Sequence, residues 1–223
     1  AAGSNMANAD NTNMYKQQDF VSDIIYLKNT NKGYSYSLTA QLRKSFAFGL
    51  TLDAAYTFGH SYSVYDGTSS VALSNWKYNY ARETNNPELA VSSFDVPHRI
   101  IASANYNVRY GKKSRWGTNL ALIYEGHSGQ AYSLYYFFDK SLPHGSQSIN
   151  GDGYNGNDLL YIPNADEVAN MSWKSDADKN NFENFIMGDK YLRKNRGKWS
   201  ERNKLRMPFE SQFDFSLSQD FIY

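Results

Sequence analysis

Residues 33–59, GYSYSLTAQLRKSFAFGLTLDAAYTFG, sort their side chains by parity. Even positions carry Tyr34, Tyr36, Leu38, Ala40 and Leu42, then Phe46, Phe48, Leu50, Leu52, Ala54, Tyr56 and Phe58. Odd positions carry Ser35, Ser37, Thr39, Gln41 and Arg43, then Ala47, Gly49, Thr51, Asp53, Ala55, Thr57 and Gly59. A period of two is the signature of a strand whose two faces meet different surroundings.

The same alternation recurs and predicts six strands, near 20–28, 33–43, 46–62, 98–110, 115–138 and 209–223. In the fourth, Ile100, Ala102, Ala104, Tyr106, Val108 and Tyr110 oppose Ser103, Asn105, Asn107 and Arg109. In the last, Phe213, Phe215, Leu217, Phe221 and Tyr223 oppose Gln212, Asp214, Ser216, Ser218 and Asp220. Lys44-Ser45 and Gly111-Lys112-Lys113-Ser114 read as tight reversals, whereas 63–97 and 140–208 are long polar connections rich in turn residues. Within the second of these, Asp176 to Met187 reads as a short helix, with Phe182, Phe185 and Ile186 on one face and Asp176 and Asp178 near the positive end of its dipole.

Short and long connections therefore alternate, as in an all-β antiparallel transmembrane barrel with tight turns on one side and extended extracellular loops on the other. The strands exceed the roughly 9–11 tilted residues that cross the hydrocarbon. Aromatic side chains gather toward strand ends, while Leu, Ile, Ala and Val fill the middles. A soluble β-sheet module for glycan or peptide is the alternative; against it stand the scarcity of Lys and Glu on the polar faces and strands longer than the usual five to six residues.

Composition sharpens this picture in three places. Nineteen tyrosines suit a boundary that is apolar at one end of the ring and wet at the other. Cysteine is absent, which excludes disulfides and thiolate metal sites. The net charge of +1 provides no global field for nucleic acid, and no apolar run reaches the roughly 18 residues of a membrane helix. The N-terminal stretch AAGSNMANADNTNMY has neither the basic nor the apolar region of a signal peptide, as expected of a mature chain or of a piece of a larger protein.

Candidate chemistry is sparse, and no enzyme is expected. His60, His98, His127 and His144 show no paired spacing for zinc. Gly126-His127-Ser128-Gly129-Gln130 lacks the second glycine of a nucleophile elbow and reads as a turn at the end of the fifth strand. Residues 148–158, SINGDGYNGND, place oxygen side chains at alternate positions around a glycine, so Asn150, Asp152 and Asp158 are candidate calcium ligands. The spacing is imperfect, because Ser148 stands at the first ligand position and Leu159 at the bidentate one; a Gly/Asn/Asp loop held by its own turns is the competing reading. The basic run 190–206, KYLRKNRGKWSERNKLR, resembles a nucleic-acid patch only in composition and reads as a solvated loop or as arginines paired with anions of the barrel or of lipopolysaccharide.

NKGYSYSLTAQLRKSF, NNPELAVSSFDVPHRIIASANY, NGDGYNGNDLLYIP and KYLRKNRGKWSERNKLRMPFESQFDFSLSQDF resemble the C-terminal barrel portion of TonB-dependent outer-membrane receptors of Bacteroidota, of the Oar-like group with a carboxypeptidase-regulatory-like domain. The resemblance covers roughly residues 20–223, and Asp95-Val96-Pro97-His98-Arg99 and the NGDG…NDLLYIP segment carry it most specifically. It implies a 22-stranded barrel around a plug, opened through TonB by the proton-motive force, of which residues 1–223 supply about six strands and neither plug nor TonB box. The function implied is capture and energised import of a large solute at the outer membrane. Expected partners are TonB through the missing plug region, outer-membrane lipid and lipopolysaccharide, and a surface lipoprotein acting as a lid; nucleic acid is not among them. Asp53, Asn105, Arg109 and Asp214 are expected to face the lumen, and Trp76, Tyr78 and Tyr80 to contact ligand or lid. Adhesion or secretion by an outer-membrane protein remains the other alternative.

Overall fold

The computed structural model describes residues 25–26, 28–137, 148–154 and 156–221. In chain order they form β1 (Tyr34–Ser45), β2 (Leu50–Ser63), α1 (Ala72–Lys77), β3 (Ala90–Val91), β4 (His98–Tyr110), β5 (Trp116–His127), β6 (Ala131–Tyr132), β7 (Tyr161–Ile162), α2 (Ala165–Asn170), α3 (Asp176–Gly188), α4 (Lys190–Lys194), β8 (Lys198–Trp199), β9 (Leu205–Arg206) and β10 (Glu210–Phe221). The strand expected near 20–28 falls almost wholly outside the described residues. The chain divides into two units, one of 34–62, 94–131 and 206–223, the other of 63–93 and 132–205 together with the residues preceding Tyr34.

The first unit is an antiparallel sheet whose long strands run in the order β1-β2-β4-β5-β10. From β1 to β5 its register brings even-numbered residues opposite even-numbered residues, whereas in β10 the odd-numbered residues join the even rows and the even-numbered residues the odd rows; the two faces are called even and odd after the first four strands. One row joins Leu42, Ala54, Ala102, Tyr124 and Phe213; another joins Leu50, Tyr106, Leu120 and Leu217. The parity seen in each strand is thus one continuous apolar face. The ladders are staggered: β2 and β4 pair from Phe58↔His98 only as far as Leu50↔Tyr106, whereas β4 and β5 run on to Tyr110↔Trp116. Sliding of this kind accompanies the tilt of strands in a barrel wall. Among the described residues the outer edges of β1 and β10 carry no partner strand.

Both reversals differ in detail from a plain reading of the pattern. β1 continues through Lys44 and Ser45, which pair with Leu52 and Thr51, so the turn is Phe46 to Gly49. Phe46 N donates to Leu50 O at 2.8 Å and Gly49 N to Phe46 O at 3.1 Å. Gly49 holds φ of +95°, and a Cβ there would lie 2.0 Å from the Asn107 carbonyl oxygen, so only glycine fits where the turn meets β4. Phe46 and Phe48 therefore sit in the turn, their rings 5.4 Å apart, and not in β2. The β4–β5 reversal is a 3₁₀ turn over Lys112–Ser114, entered through Gly111 at φ 81°.

β5 stops at His127, short of the expected end near 138. At Gly129 a Cβ would lie 2.2 Å from the Pro208 carbonyl oxygen and 2.4 Å from that of Met207, so the backbones crowd and the ladder ends. Ser128 caps the break, its N–H donating to His98 O at 2.9 Å and its hydroxyl accepting from His98 N at 3.2 Å.

The second unit holds both long connections and has a core of its own. Ile162, Ile186 and Leu192 are fully buried, with Leu134, Phe182 and Tyr191 packed against them. β7 pairs antiparallel with β8, and α2, α3 and α4 follow β7 in sequence. α3 starts where Ser175 accepts from Asp178 N, with Asp176 and Asp178 in the first turn, and α4 starts on Asp189, which accepts from Tyr191 and Leu192 N–H groups. Ile186 and Phe182 supply the buried side of α3, while Phe185 remains half exposed. Helices occur in both connections, not only in the 140–208 segment. No helix among the described residues is long and apolar enough to cross a membrane.

Candidate functional site

The two faces of the sheet offer different chemistry. On the even face, aromatic rings mark both ends. Tyr34 stacks on Tyr62 at 5.0 Å, Phe58 lies 5.4 Å from His98, and Tyr56 donates to or accepts from His98 Nδ1 at 2.7 Å. At the tight-turn end Trp116 meets Phe221 edge-on at 4.9 Å, beside Tyr110. Between them lie Leu42, Leu52, Leu120, Leu122, Leu217 and alanines, with Tyr106, Tyr124, Phe213 and Phe215 on the same face. Leu38, Leu42, Phe213, Phe215 and Leu217 are all more than half exposed to solvent. Soluble monomers rarely leave so large a continuous apolar surface uncovered.

The odd face is polar and cross-linked by its own side chains. Arg43 pairs with Asp53 at 3.6 Å and Arg99 with Glu125 at 2.7 Å. Thr39 and Thr57 hydroxyls are 2.9 Å apart, Asn107 donates to Asn119, and Asn119 donates to Ser218 and Asp220. All four residues expected on the lumenal side lie on this face. Asp53 and Asp214 belong to one row with Ser103 and Ile123, Asn105 donates to Ser103 Oγ at 3.4 Å, and Arg109 opposes Gly117 with Asp220 beyond it. Ile101 and Ile123 are the large apolar exceptions in these strands.

Asp95, within the DVPHR segment, is a hub that its sequence position alone does not reveal. Its side chain is fully buried and accepts from Ser61 N at 2.6 Å, His60 Nδ1 at 3.2 Å and Arg206 Nη2. Arg206 also donates to the Asp95 carbonyl at 2.9 Å. The carboxylate thereby fastens the end of β2 to the start of β10's approach, leaving Pro97 O to accept from Gly59 N at 3.0 Å.

In the second unit a parallel device surrounds Asp66. Ser63 Oγ, Ser92 Oγ and Ser93 N donate to it at 2.5, 2.7 and 2.9 Å. Burial alone would raise the Asp66 carboxyl, but these donors prevail and hold it below the usual carboxylate value. Arg202, nearly fully buried, donates to Val64 O at 2.8 Å, to Ser63 O and to Asn79 Oδ1; burial lowers its guanidinium and the Asp66 charge opposes that fall. The basic run is accordingly spent largely on internal contacts. Arg196 pairs with Glu183 and donates to Pro163 O at 3.1 Å, as Arg202 and Arg206 do with their own acceptors.

Tyr78 and Tyr80 line a cavity of about 160 Å³ together with Asp66, Asn75 and Arg202. Tyr80 also lines a larger cavity of about 350 Å³, where Arg82, Glu88, Trp199 and Glu201 supply mixed charge and ring surface. Tyr78 is exposed and packs edge-on against Tyr154 at 5.4 Å; Tyr80 lies 4.9 Å from Tyr135. Trp76 lines neither cavity and ties its indole N–H to Asn85 Oδ1 at 2.9 Å. Burial raises the Tyr80 hydroxyl above its ordinary value, with Tyr135 adding to the shift, so the phenol is a neutral hydrogen-bonding group at physiological pH.

The 148–158 loop brings Asn150, Asp152 and Asp158 together and adds Asn157 and Thr84, neither of which the alternate spacing singled out. Among the described residues no three of His, Cys, Asp and Glu gather as a metal centre would need. Any cation in this loop would therefore rely on amide, hydroxyl and carbonyl oxygens beside its two carboxylates.

The profile of a family described as an outer membrane beta barrel domain matches residues 1–223. No curated protein and no solved structure matches the chain. An antiparallel sheet with one apolar and one polar face, and a whole-length match to that profile, lead to one conclusion: the chain belongs to the outer membrane β-barrel domain family.

Proposed function

We propose that this outer-membrane β-barrel domain is part of the wall and external loops of a TonB-dependent transporter, which captures a large solute and imports it with energy transduced from the inner membrane. The observation that carries the reading is the two-sided sheet, whose even face is apolar with aromatic ends and whose odd face is a network of Arg, Asp, Asn, Ser and Thr. From the Ile100 row to the Tyr110 row, ten residue steps of β4 span about 33 Å along the strand. At a barrel tilt of roughly 35–45° this becomes about 25 Å along the membrane normal, the height of an outer-membrane apolar band.

In this reading the even face meets lipid, and Asp53, Asn105, Arg109 and Asp214 face a lumen filled by a plug. An unpaired edge cannot stand in hydrocarbon, so β1 and β10 each pair with a further strand in the complete wall. Both long connections leave the sheet from the end opposite the tight turns and form the external, solute-facing side, where a lid lipoprotein would also act. Tyr78, Tyr80 and the cavities they line supply ring and hydrogen-bonding surface for noncovalent capture, and no covalent chemistry is assigned. Resemblance of the DVPHR and NGDG…NDLLYIP segments to Oar-like receptors of Bacteroidota supports energised uptake over simple diffusion.

The test is depletion of oligomeric peptides and glycans from medium by cells carrying or lacking the full-length protein, read by mass spectrometry, with and without a protonophore and with and without TonB. Transport predicts a solute whose loss needs the protein, TonB and the proton gradient together. Protein-dependent attachment to surfaces that survives the protonophore, with no solute depleted, would instead establish the adhesion reading.

A further inference from the structure

The 148–158 loop contains a buried carboxylate, Asp158, and a half-buried one, Asp152, and among the described residues no cationic side chain pairs with either. Asp158 is 1% exposed and Asn157 0%. Asp158 Oδ1 accepts from Asn150 N at 2.8 Å, while its Oδ2 is buried with no hydrogen-bond partner. Asp152 accepts from Thr84 Oγ1 at 2.7 Å and Asn157 Nδ2 at 2.6 Å through Oδ2, and from Ser148 Oγ and Tyr154 N through Oδ1. Among the described residues no Lys, Arg or His forms an ion pair with either carboxylate. Burying an anion oxygen without a partner is costly, and a second anion nearby adds to that cost.

Around these carboxylates oxygen atoms converge on a single nitrogen. Asn150 Nδ2 lies 3.2 Å from Thr84 Oγ1, 3.2 Å from Asn157 Oδ1 and 3.5 Å from the Ala81 carbonyl. An amide has two hydrogens, so three acceptors cannot all be served. The nitrogen sits where a cation would satisfy all three. Gly151 and Gly153, at φ of +76° and +77°, give the loop its sharp curl with open space where a Cβ would project.

We propose that this cluster is a calcium site, in which the carboxylates of Asp152 and Asp158, the amide oxygens of Asn150 and Asn157, the Thr84 hydroxyl and the Ala81 carbonyl surround the ion. Entry of the ion turns the Asn150 amide so that its oxygen replaces its nitrogen toward the centre. Six oxygens of mixed kind at flexible distances suit Ca²⁺; Mg²⁺ demands a tighter octahedron and keeps much of its water. Two carboxylates match the ion's charge, and the orphaned Oδ2 gains its missing partner. The ligands come from both long connections, already joined by Asn157 Nδ2 to Lys77 O at 3.0 Å and Ala81 N to Asn157 O at 3.2 Å. The ion would lock one connection to the other. This inference stands on the loop geometry and is independent of what the barrel transports.

The experiment is calorimetric titration of Ca²⁺ into the chelator-stripped, detergent-solubilised full-length protein, with Mg²⁺ titrated in parallel. One saturable equivalent is expected, with a dissociation constant of about 10⁻⁴–10⁻³ M as in extracellular modules, and weaker Mg²⁺ binding. The near-isosteric D152N and D158N should each weaken Ca²⁺ at least about tenfold, and T84V should weaken it with both carboxylates intact, while D166N on α2 leaves it unchanged. Wild-type protein that binds no Ca²⁺ saturably, or D152N, D158N and T84V proteins that bind it as tightly as wild type, would overturn the assignment.

Discussion

A charge placed on the even face should cost most in the middle of the sheet and little at its ends, and Leu122→Arg is the sharpest probe. Leu122 faces Ala104 on one side and Phe215 on the other. Trp116 lies six residues away along β5 and Gly126 closes the band in the other direction, so Leu122 sits within about one residue of the midpoint. Arginine at a bilayer midplane costs about 2–4 kcal/mol in a barrel, falling to about 0–1 at the interface. At about 1.4 kcal/mol per tenfold, Leu122→Arg should lower the folded-to-unfolded ratio by roughly 30- to 1,000-fold. Ala121→Arg on the opposite face, beside Asn105 and Ser216, and Trp116→Arg at the band's edge should each cost about 1 kcal/mol or less. Lys44 shares a hydrogen-bonded row with Leu122, yet the stagger of the hairpins carries it toward the tight-turn end, where its ammonium lies 5.8 Å from the Phe46 ring. The assay is denaturant-dependent folding of the full-length protein into lipid vesicles, followed by tryptophan fluorescence and heat-modifiable mobility. Equal losses for Leu122→Arg and Ala121→Arg, or a Trp116→Arg loss as large as that of Leu122→Arg, would refute a lipid-facing even side; a solvent-facing one predicts all three within about 0.5 kcal/mol of wild type.

Asp95→Ala should destabilise folding by about 3–5 kcal/mol, since it strips Arg206, His60 and the Ser61 N–H of a fully buried acceptor; the same denaturant titration measures it. Gly49→Ala should cost more than about 1 kcal/mol, because an alanine at φ +95° would drive its Cβ into the Asn107 carbonyl, and slower hairpin closure should accompany the loss in refolding traces. Asp158→Asn in chelator should stabilise the second unit at neutral pH. The folded Asp158 carboxyl is raised, so the folded state binds the proton more tightly and wild-type stability falls as pH rises from about 4 through that raised value. The advantage of the variant should vanish below about pH 4 and reverse when Ca²⁺ is added, as read by protease resistance of the loops.

The sheet was legible because its rule is local. A strand alternates its side chains whatever its neighbours do, so the parity of Tyr34 to Leu42 or Ile100 to Tyr110 survives translation into three dimensions. Strand ends were less legible because close approach of distant backbones decides them. Phe46 and Phe48 continue the even parity, yet Gly49 meeting Asn107 puts them in the turn. Past His127, the backbone at Gly129 meets the Met207 and Pro208 carbonyls, contacts made across a long stretch of sequence. Asp53, Asn105, Arg109 and Asp214 each sit in the polar phase of their own strand, and the register then aligns those phases, pairing the even-numbered Asp214 with Ile123 in the row of Ser103 and Asp53.

The connections obey no such periodicity, and their order comes from buried polar groups. A core of Ile162, Ile186 and Leu192 is small for so many residues, and Asp158, Asn157, Arg202 and Asn203 are buried, with Asp66 half-buried, on hydrogen bonds that leave only Asp158 Oδ2 and Arg202 Nε among their buried side-chain polar atoms without a partner. Such contacts link Ser63 to Arg202 or Thr84 to Asp152, and no spacing rule foretells them. The basic run 190–206 shows the consequence most clearly. By composition it is a cationic surface, whereas Arg196 and Arg202 end on carbonyls, an amide and Glu183 within the second unit. Arginine serves there because one planar fork can bind several backbone oxygens at once, as Arg202 does with Ser63 and Val64. With only a small apolar core to hold these connections, internal arginines do the work that packing does elsewhere, and the calcium proposed at Asp152 and Asp158 would add to it.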